Sequence, residues 1–209
     1  MSGTSAETQE FIRAALQDSA RVQASLATDG LALIARAAER LSAALLGGQK
    51  LIWFGNGGSA TQSQHMAAEF VGRFSKDRRS LASISLTENM ASITAIANDY
   101  QYELIFARQL EGLSQPGDVA IGLSTSGSSP NVLAGLKKAK ELGLATVGLT
   151  GGTGGAMRER CEICIVVPSK ETARIQEAHL TIGHILCALV EHAVLSHGPR
   201  ASCGCQEHA

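Results

Sequence analysis

The sequence predicts an α/β protein: a doubly wound parallel sheet of five strands, with extra helices at the N-terminus. Three observations predict it. Short apolar runs recur at 51–54, 81–86, 119–123, 145–150 and 161–167, each about as long as a buried strand. Segments of helical periodicity separate these runs, and strands spaced by helices imply a parallel sheet covered on both faces. Two of the runs lead through glycine- or serine-rich turns directly into a helix, the arrangement found where such sheets bind ligands.

Residues 5–26 set Phe11, Ile12, Ala15, Val22 and Leu26 at helical spacing. A second helix covers about 30–46, with Leu31, Leu33, Ile34, Ala37, Leu41 and Leu45 as its apolar face, closed by Gly47 and Gly48 in the manner of a glycine cap. These two helices exceed a simple alternating unit, and their stripes are expected to pack on the sheet or on another subunit. The first strand, 51–54, runs into Gly55-Asn56-Gly57-Gly58-Ser59, a turn, and then into a helix. After the second strand a helix covers about 89–97. Asn98, Asp99 and Tyr100 interrupt it, and another helix follows over roughly 103–113. The turn Gln115-Pro116-Gly117-Asp118 precedes the third strand. Pro130 opens a helix to about residue 142, with Ser129 as its N-cap. The fourth strand is followed by a loop containing Gly151, Gly152, Gly154 and Gly155 and by a short helix. The fifth strand stops at Pro168, and a last helix covers about 171–195. Residues 1–195 are read as one domain and 196–209 as a flexible tail.

The chain has 209 residues, an apolar fraction of 44% and a formal net charge of -1. That composition suffices for a sizeable core. The near-zero charge argues against bulk attraction to nucleic acid or to an anionic membrane, and neither partner is expected. No stretch is expected to reach the length of a membrane span. The polar, acidic start MSGTSAETQE has no apolar export core, so the chain is read as cytoplasmic. The cysteine count, five, is odd and argues against a disulfide framework. Cys161 and Cys164 form a CxxC in the run CEICIVV, where strand geometry puts positions three apart on opposite faces. They are read as buried thiols and not as a metal knuckle. Cys203, Cys205 and His208 could hold a metal, although a polar terminal tail is more often disordered.

The first glycine turn lets an oxyanion approach the backbone while the first helical N–H groups point at it. In the helix that follows, His65 and Glu69 are four apart and share one face. Such a pair can be a surface pair, two metal ligands or an acid/base couple. The run Ser124-Thr125-Ser126-Gly127-Ser128-Ser129 sits between a strand and a helix. Ser124, Thr125, Ser126 and Ser129 together could donate several hydrogen bonds to a phosphate. Neither loop is followed by the lysine of a nucleotide-binding P-loop, and the GxGxxG fingerprint is absent, so a sugar phosphate fits better than a nucleotide. In the last helix His184 interrupts the most apolar stretch, and a buried histidine bonded to a carbonyl is its plainer reading.

The segments GNGGS at 55–59, HMAAEFVGR at 65–73, AIANDY at 95–100, STSGSSPNV at 124–132, LTGGTGG at 149–155 and RIQEAHLTIGHIL at 174–186 match a family. In these the chain resembles the sugar isomerase (SIS) domain proteins, and among them the phosphoheptose isomerases, over about residues 5–195. The resemblance implies a flavodoxin-like sheet and aldose–ketose isomerisation of sedoheptulose 7-phosphate, the first step towards nucleotide-activated heptose precursors. It implies that Asn56, Gly57, Gly58, Asn98, Asp99, Ser124, Thr125, Ser126, Ser129 and Gln176 contact substrate, with Ser59 and Arg73 as further contacts. Glu69, also a substrate contact, and His184 are implied as the acid/base pair. The ligands of a zinc ion, one per subunit, map to His65, Glu69, Gln176 and His184. A homotetramer is implied as well. The cysteine-containing tail departs from the family pattern.

Gln176 and His184 are eight apart, which on one continuous helix separates them by about 12 Å of rise. Ligand bonds of roughly 2 Å make convergence on one zinc difficult. Either Gln176 lies outside the helix proper, or the site mixes residues from two subunits; the second is expected. Three other readings compete with the isomerase. One is a non-catalytic tetrameric SIS protein of the initiator-associating group, similar around AIANDY and TARIQE. Another is a sensor of sugar phosphates, and the last an isomerase for another phosphosugar. Retention of Glu69 and His184 places the enzyme first.

Overall fold

The computed structural model describes residues 5–197. Two helices, α1 (Ser5–Asp29) and α2 (Leu31–Leu46), precede the first strand, β1 (Leu51–Gly55). Then follow α3 (Gly58–Val71), β2 (Ser83–Ser85) and α4 (Met90–Asp99). A 3-10 turn (Tyr102–Leu104) leads into α5 (Ile105–Leu113), β3 (Val119–Ser124), α6 (Pro130–Glu141) and β4 (Ala145–Gly151). The chain closes with α7 (Met157–Arg160), β5 (Ile163–Val167) and α8 (Thr172–His197). The five strands are parallel in the order β2-β1-β3-β4-β5, the flavodoxin-like order, as expected.

Side chains of β1 alternate between the two layers. Leu51 and Trp53 enter a core with α2, α3 and α8, including Leu41, Met66, Phe70, Ile182 and Leu186. Ile52 and Phe54 enter the opposite core with Phe106, Leu110, Val132 and Leu136 of α5 and α6. Both faces of the sheet are therefore dry, which is why its strands read as continuous apolar runs. The glycine cap on α2 takes the expected form: Gly48 has φ 86°, its N–H donates to Leu45 O, and Gln49 N–H donates to Ala44 O.

Four expectations are corrected. Asn98 and Asp99 do not interrupt α4; they complete its last turn, and the backbone departs only at Tyr100. Neither residue removes a helical hydrogen bond, so nothing forces an earlier stop. Ser129 occupies the N-cap position of α6 without capping it, because its hydroxyl pairs with Ser124 Oγ at 2.9 Å. Cys161 precedes β5 as the residue after α7, so the alternation of a strand does not apply to it. Both thiols turn towards Gly148, where an added Cβ would stand 2.6 Å from Cys161 Sγ and 3.5 Å from Cys164 Sγ. The Cys161 thiol is held well above the usual range by its hydrogen bond to Cys164 and by burial, and the same bond draws the Cys164 thiol down. Finally, α8 is long and apolar enough to cross a membrane by length and composition alone. Half of its most apolar window is buried inside the fold, which fits a core helix. The thiol and imidazole of Cys203, Cys205 and His208 lie outside the described residues.

Candidate functional site

Two groups of polar residues gather at different places on the fold. The first lies at the carboxyl ends of β1 and β3, on either side of the point where the strand order reverses, the usual ligand position in such sheets. Gly57, at φ 55°, turns the chain from β1 into α3, where the N–H groups of Ser59 and Ala60 donate back to the carbonyls of Asn56 and Gly57. Across the crevice, Ser124 Oγ lies 2.9 Å from Ser129 Oγ and 3.4 Å from Ser126 Oγ, and Ser128 N–H donates to Ser126 Oγ. Gly151 N–H holds the carbonyl of Thr125. Gly127 must be glycine: its φ is 65°, and a Cβ there would come within 2.1 Å of Gly154 O.

The two loops are locked together at Asn56 by two residues that the sequence did not mark, Asn131 and Tyr102. Asn56 Nδ2 donates to Asn131 Oδ1, and Asn131 Nδ2 donates back to Asn56 Oδ1, both at 2.8 Å. Asn131 is buried, and Tyr102 Oη donates to the same Asn56 oxygen at 3.2 Å. The NV dipeptide closing STSGSSPNV carried Asn131, but its partner lies 75 positions away, so the signal was not readable locally. Asn98 and Asp99, joined by a 2.8 Å bond, are exposed at the end of α4, a few residues before Tyr102. Ser59 is buried, with its Cβ close to Gly55.

The second group lies along the seam between α3 and α8. His65 Nε2 is 3.0 Å from His184 Nε2 and 3.5 Å from Glu69 Oε1. One ligand atom from each of the three falls within 4.8 Å of the others. The seam is tight because Gly183 admits Met66, whose Sδ would be 2.3 Å from a Cβ at that glycine. Phe74 packs on the His184 ring with centroids 5.6 Å apart. Cys187 is buried near Glu69, and its thiol is pushed up to about 12, mainly by burial and next by the Glu69 charge. Two imidazole nitrogens and a carboxylate oxygen form a donor set suited to a transition-metal cation. The two spacings from His65 Nε2, 3.0 and 3.5 Å, are close to the roughly 3.3 Å edge of a tetrahedron with bonds of about 2 Å. Alternatively, one imidazole donates to the other.

Gln176 does not join this cluster within the chain. It sits on the same continuous helix as His184, which excludes the less favoured alternative, a place outside the helix. Its amide lies instead beside Gly58, where a Cβ would meet Nε2 at 2.5 Å, and its carbonyl accepts from Gln62 Nε2. Arg73 is exposed just beyond the other end of α3. From Gly58 to Glu69 the helix rises about 16 Å, so cradle and cluster are distinct stations along it. His179 stands between them. It is buried, its Nε2 faces Thr150 O at 3.2 Å, and burial pushes its pKa down to about 4. Among the described residues, His179 Nδ1, Thr150 Oγ1 and Gln62 Oε1 are buried side-chain atoms without a hydrogen-bond partner.

Comparison with known proteins adds a family context. Residues 10–151 match the model of the SIS domain. The chain is 48% identical over 187 residues to a phosphoheptose isomerase of Aneurinibacillus thermoaerophilus, covering 88% of this chain and 94% of that protein. It is also 48% identical over 185 residues to one of Aquifex aeolicus (strain VF5), covering 88% and 97%. A solved phosphoheptose isomerase from Neisseria gonorrhoeae superposes with a TM-score of 0.84 at 34% identity, over 88% of this chain and 99% of that one. One from Francisella tularensis gives 0.85 at 33% identity, over 88% and 98%.

Proposed function

The chain belongs to the SIS domain family, and we propose that it is a phosphoheptose isomerase interconverting sedoheptulose 7-phosphate and D-glycero-D-manno-heptose 7-phosphate. The observation that carries this reading is the meeting of Glu69 with His184 beside His65, on a fold whose sheet edge presents a hydroxyl-lined cradle. Relatives nearly half identical along most of the chain carry that activity in their names.

Isomerisation moves a carbonyl from C2 to C1. Glu69 takes a proton from C1 as O2 receives one from His184, leaving an enediol. His184 then takes the O1 proton while Glu69 returns a proton to C2, so protons balance over the cycle. Donors of Ser124, Thr125, Ser126 and Ser129 and the turn at Gly57 and Gly58 hold the phosphate, which fixes the reacting carbons. Asn98, Asp99 and Arg73 would supply further polar contacts to the sugar. His65, Glu69 and His184 would each offer one atom to a zinc ion, which would supply positive charge beside an oxygen that gains electron density, leaving the second carboxylate oxygen of Glu69 and the second ring nitrogen of His184 for proton transfer.

Residues 1–195 act as one SIS domain, and the assembly is a homotetramer whose sites combine residues of two subunits, Gln176 included. Three features support this. Gln176 and His184 share one unbroken helix, cradle and cluster are stations apart on α3, and Phe11, Ile12, Leu16, Ile185 and Leu189 expose apolar side chains. Free thiols at Cys161, Cys164 and Cys187 support a reducing, cytoplasmic setting. The test is incubation with sedoheptulose 7-phosphate, with and without chelator, watching for the aldoheptose phosphate. Turnover that chelator abolishes and zinc restores is expected. No aldose product under either condition overturns the reading, and a fully active monomer overturns the shared site.

A further inference from the structure

The loop after α3 is held by charges that the isomerisation chemistry does not use. Glu191 of α8 is only 3% exposed. Its carboxylate accepts the backbone N–H groups of Phe74 at 3.2 Å, Ser75 at 3.1 Å and Lys76 at 2.9 Å. It also accepts Nε of Arg78 at 3.1 Å, and the Arg78 side chain is equally buried. The remaining guanidinium donors turn onto the end of α3. Nη2 donates to the carbonyl of Glu69 at 2.9 Å, and Nη1 to the carbonyls of Phe70, Gly72 and Arg79. Three of these carbonyls lie in the last turn and cap of α3, where helical partners run out.

A buried ion pair is a poor way to fill space, since apolar side chains of like volume do so at least as well. What this pair does is fix backbone. It reaches both members of the acid/base couple. Arg78 grips the peptide oxygen of Glu69 itself. Glu191 lies seven residues after His184, two turns further on the same face of α8, and the loop it anchors seats Phe74 on the His184 ring. We infer that the Arg78–Glu191 pair is a positioning device that sets Glu69 on α3 against His184 on α8 and holds the seam in register. The cradle is outside its reach, being at the opposite end of α3.

The kinetic part of this inference rests on the isomerase reading; its other parts do not. Glu191→Gln and Arg78→Lys are compared with the wild type in three measurements. The first is the kcat and KM of isomerisation. The second is affinity for zinc alone, by competition with a chromophoric chelator. The third is hydrogen exchange at the amides of residues 74–76. Glu191→Gln is expected to lower kcat and zinc affinity each about 10- to 100-fold, as loss of a group supporting a ligand does. KM should stay within about threefold, since phosphate binding is untouched. Arg78→Lys keeps the charge without the fork and should move the same quantities less. A Glu191→Gln protein with lower thermal stability but wild-type kcat and zinc affinity overturns the inference, because the pair is then merely structural. If Glu191→Gln does not fold, Arg78→Lys decides, together with the wild-type exchange. Amides at 74–76 exchanging as freely as an open loop also overturn it. A wild type with no isomerase activity removes the functional reading alone, and zinc affinity and exchange still decide this one.

Discussion

The cradle at the sheet edge and the seam between α3 and α8 bind by different means. The cradle is made of hydroxyls and backbone groups from two loops, braced by a reciprocal amide pair. Nothing in it titrates near neutral pH, so it can hold an anion but cannot pass protons. The seam brings His65 against His184, 119 positions away, with Glu69 beside them. Its groups can exchange protons and can ligate a metal. On the proposed reading the difference teaches a division of labour within one site: hold at one station, react at the other. Each variant below tests whether that division is real.

The largest effect is expected at the seam. Glu69→Gln keeps size and shape but removes the base, so kcat should fall about 10²- to 10⁴-fold. Affinity for inorganic phosphate, measured by calorimetry, should change little. Near-normal turnover removes Glu69 from its role, and a loss of phosphate affinity as large as the loss of rate erases the division.

His179 joins the two regions, reaching from α8 to Thr150 under the serine loop. Its pKa is pushed down to about 4 by burial, against the backbone bond to Thr150, which raises it. An unfolded histidine titrates near 6.5. Between those values the unfolded chain binds a proton that the folded chain does not. Stability is therefore full above about pH 6.5, falls with falling pH, and stops falling below about 4. The loss should reach about 2 kcal/mol by pH 5. Urea unfolding at pH 7.5 and pH 5, at fixed protein concentration, reads it; His179→Gln should remove that part of the slope. An unchanged slope means His179 is not the group responsible.

In the cradle, Ser129→Ala removes one donor to a charged phosphate. Such a bond contributes about 1.5–3 kcal/mol, so KM should rise about 10- to 100-fold while kcat stays within about threefold. A drop in kcat with unchanged KM would show that the cradle takes part in chemistry.

The same division governs what the sequence could disclose. The cradle was readable because each loop is contiguous: a strand, a glycine or serine turn, and a helix lie within a dozen residues. The parallel sheet was readable because both its faces are buried, which leaves apolar runs without alternation. His65 and Glu69 were paired by helical spacing, yet only the resemblance to a family brought His184 to them, because that contact is made by tertiary packing. Asn131, Tyr102, Arg78 and Glu191 carried no local signal; each acts on a partner at least nine positions away, except where Arg78 turns back on nearer carbonyls. Cys161 was misplaced because an apolar run does not mark where a strand begins.

The smallest expected effect lies at Tyr102. Its hydroxyl donates to Asn56 Oδ1 at 3.2 Å, on an oxygen already satisfied by Asn131 Nδ2 at 2.8 Å. Tyr102→Phe therefore leaves no acceptor without a partner and removes one neutral hydrogen bond, a loss of about 0.5–1.5 kcal/mol at most. The side chain is exposed, so water replaces the phenol and lowers the loss further. KM should rise no more than about tenfold and kcat should hold. Asn131→Ala is the sharper counterpart, because it strips both bonds from Asn56 and frees the glycine loop from the serine loop. If Tyr102→Phe costs as much as Asn131→Ala, the phenol touches substrate directly and the cradle extends to the segment after α4.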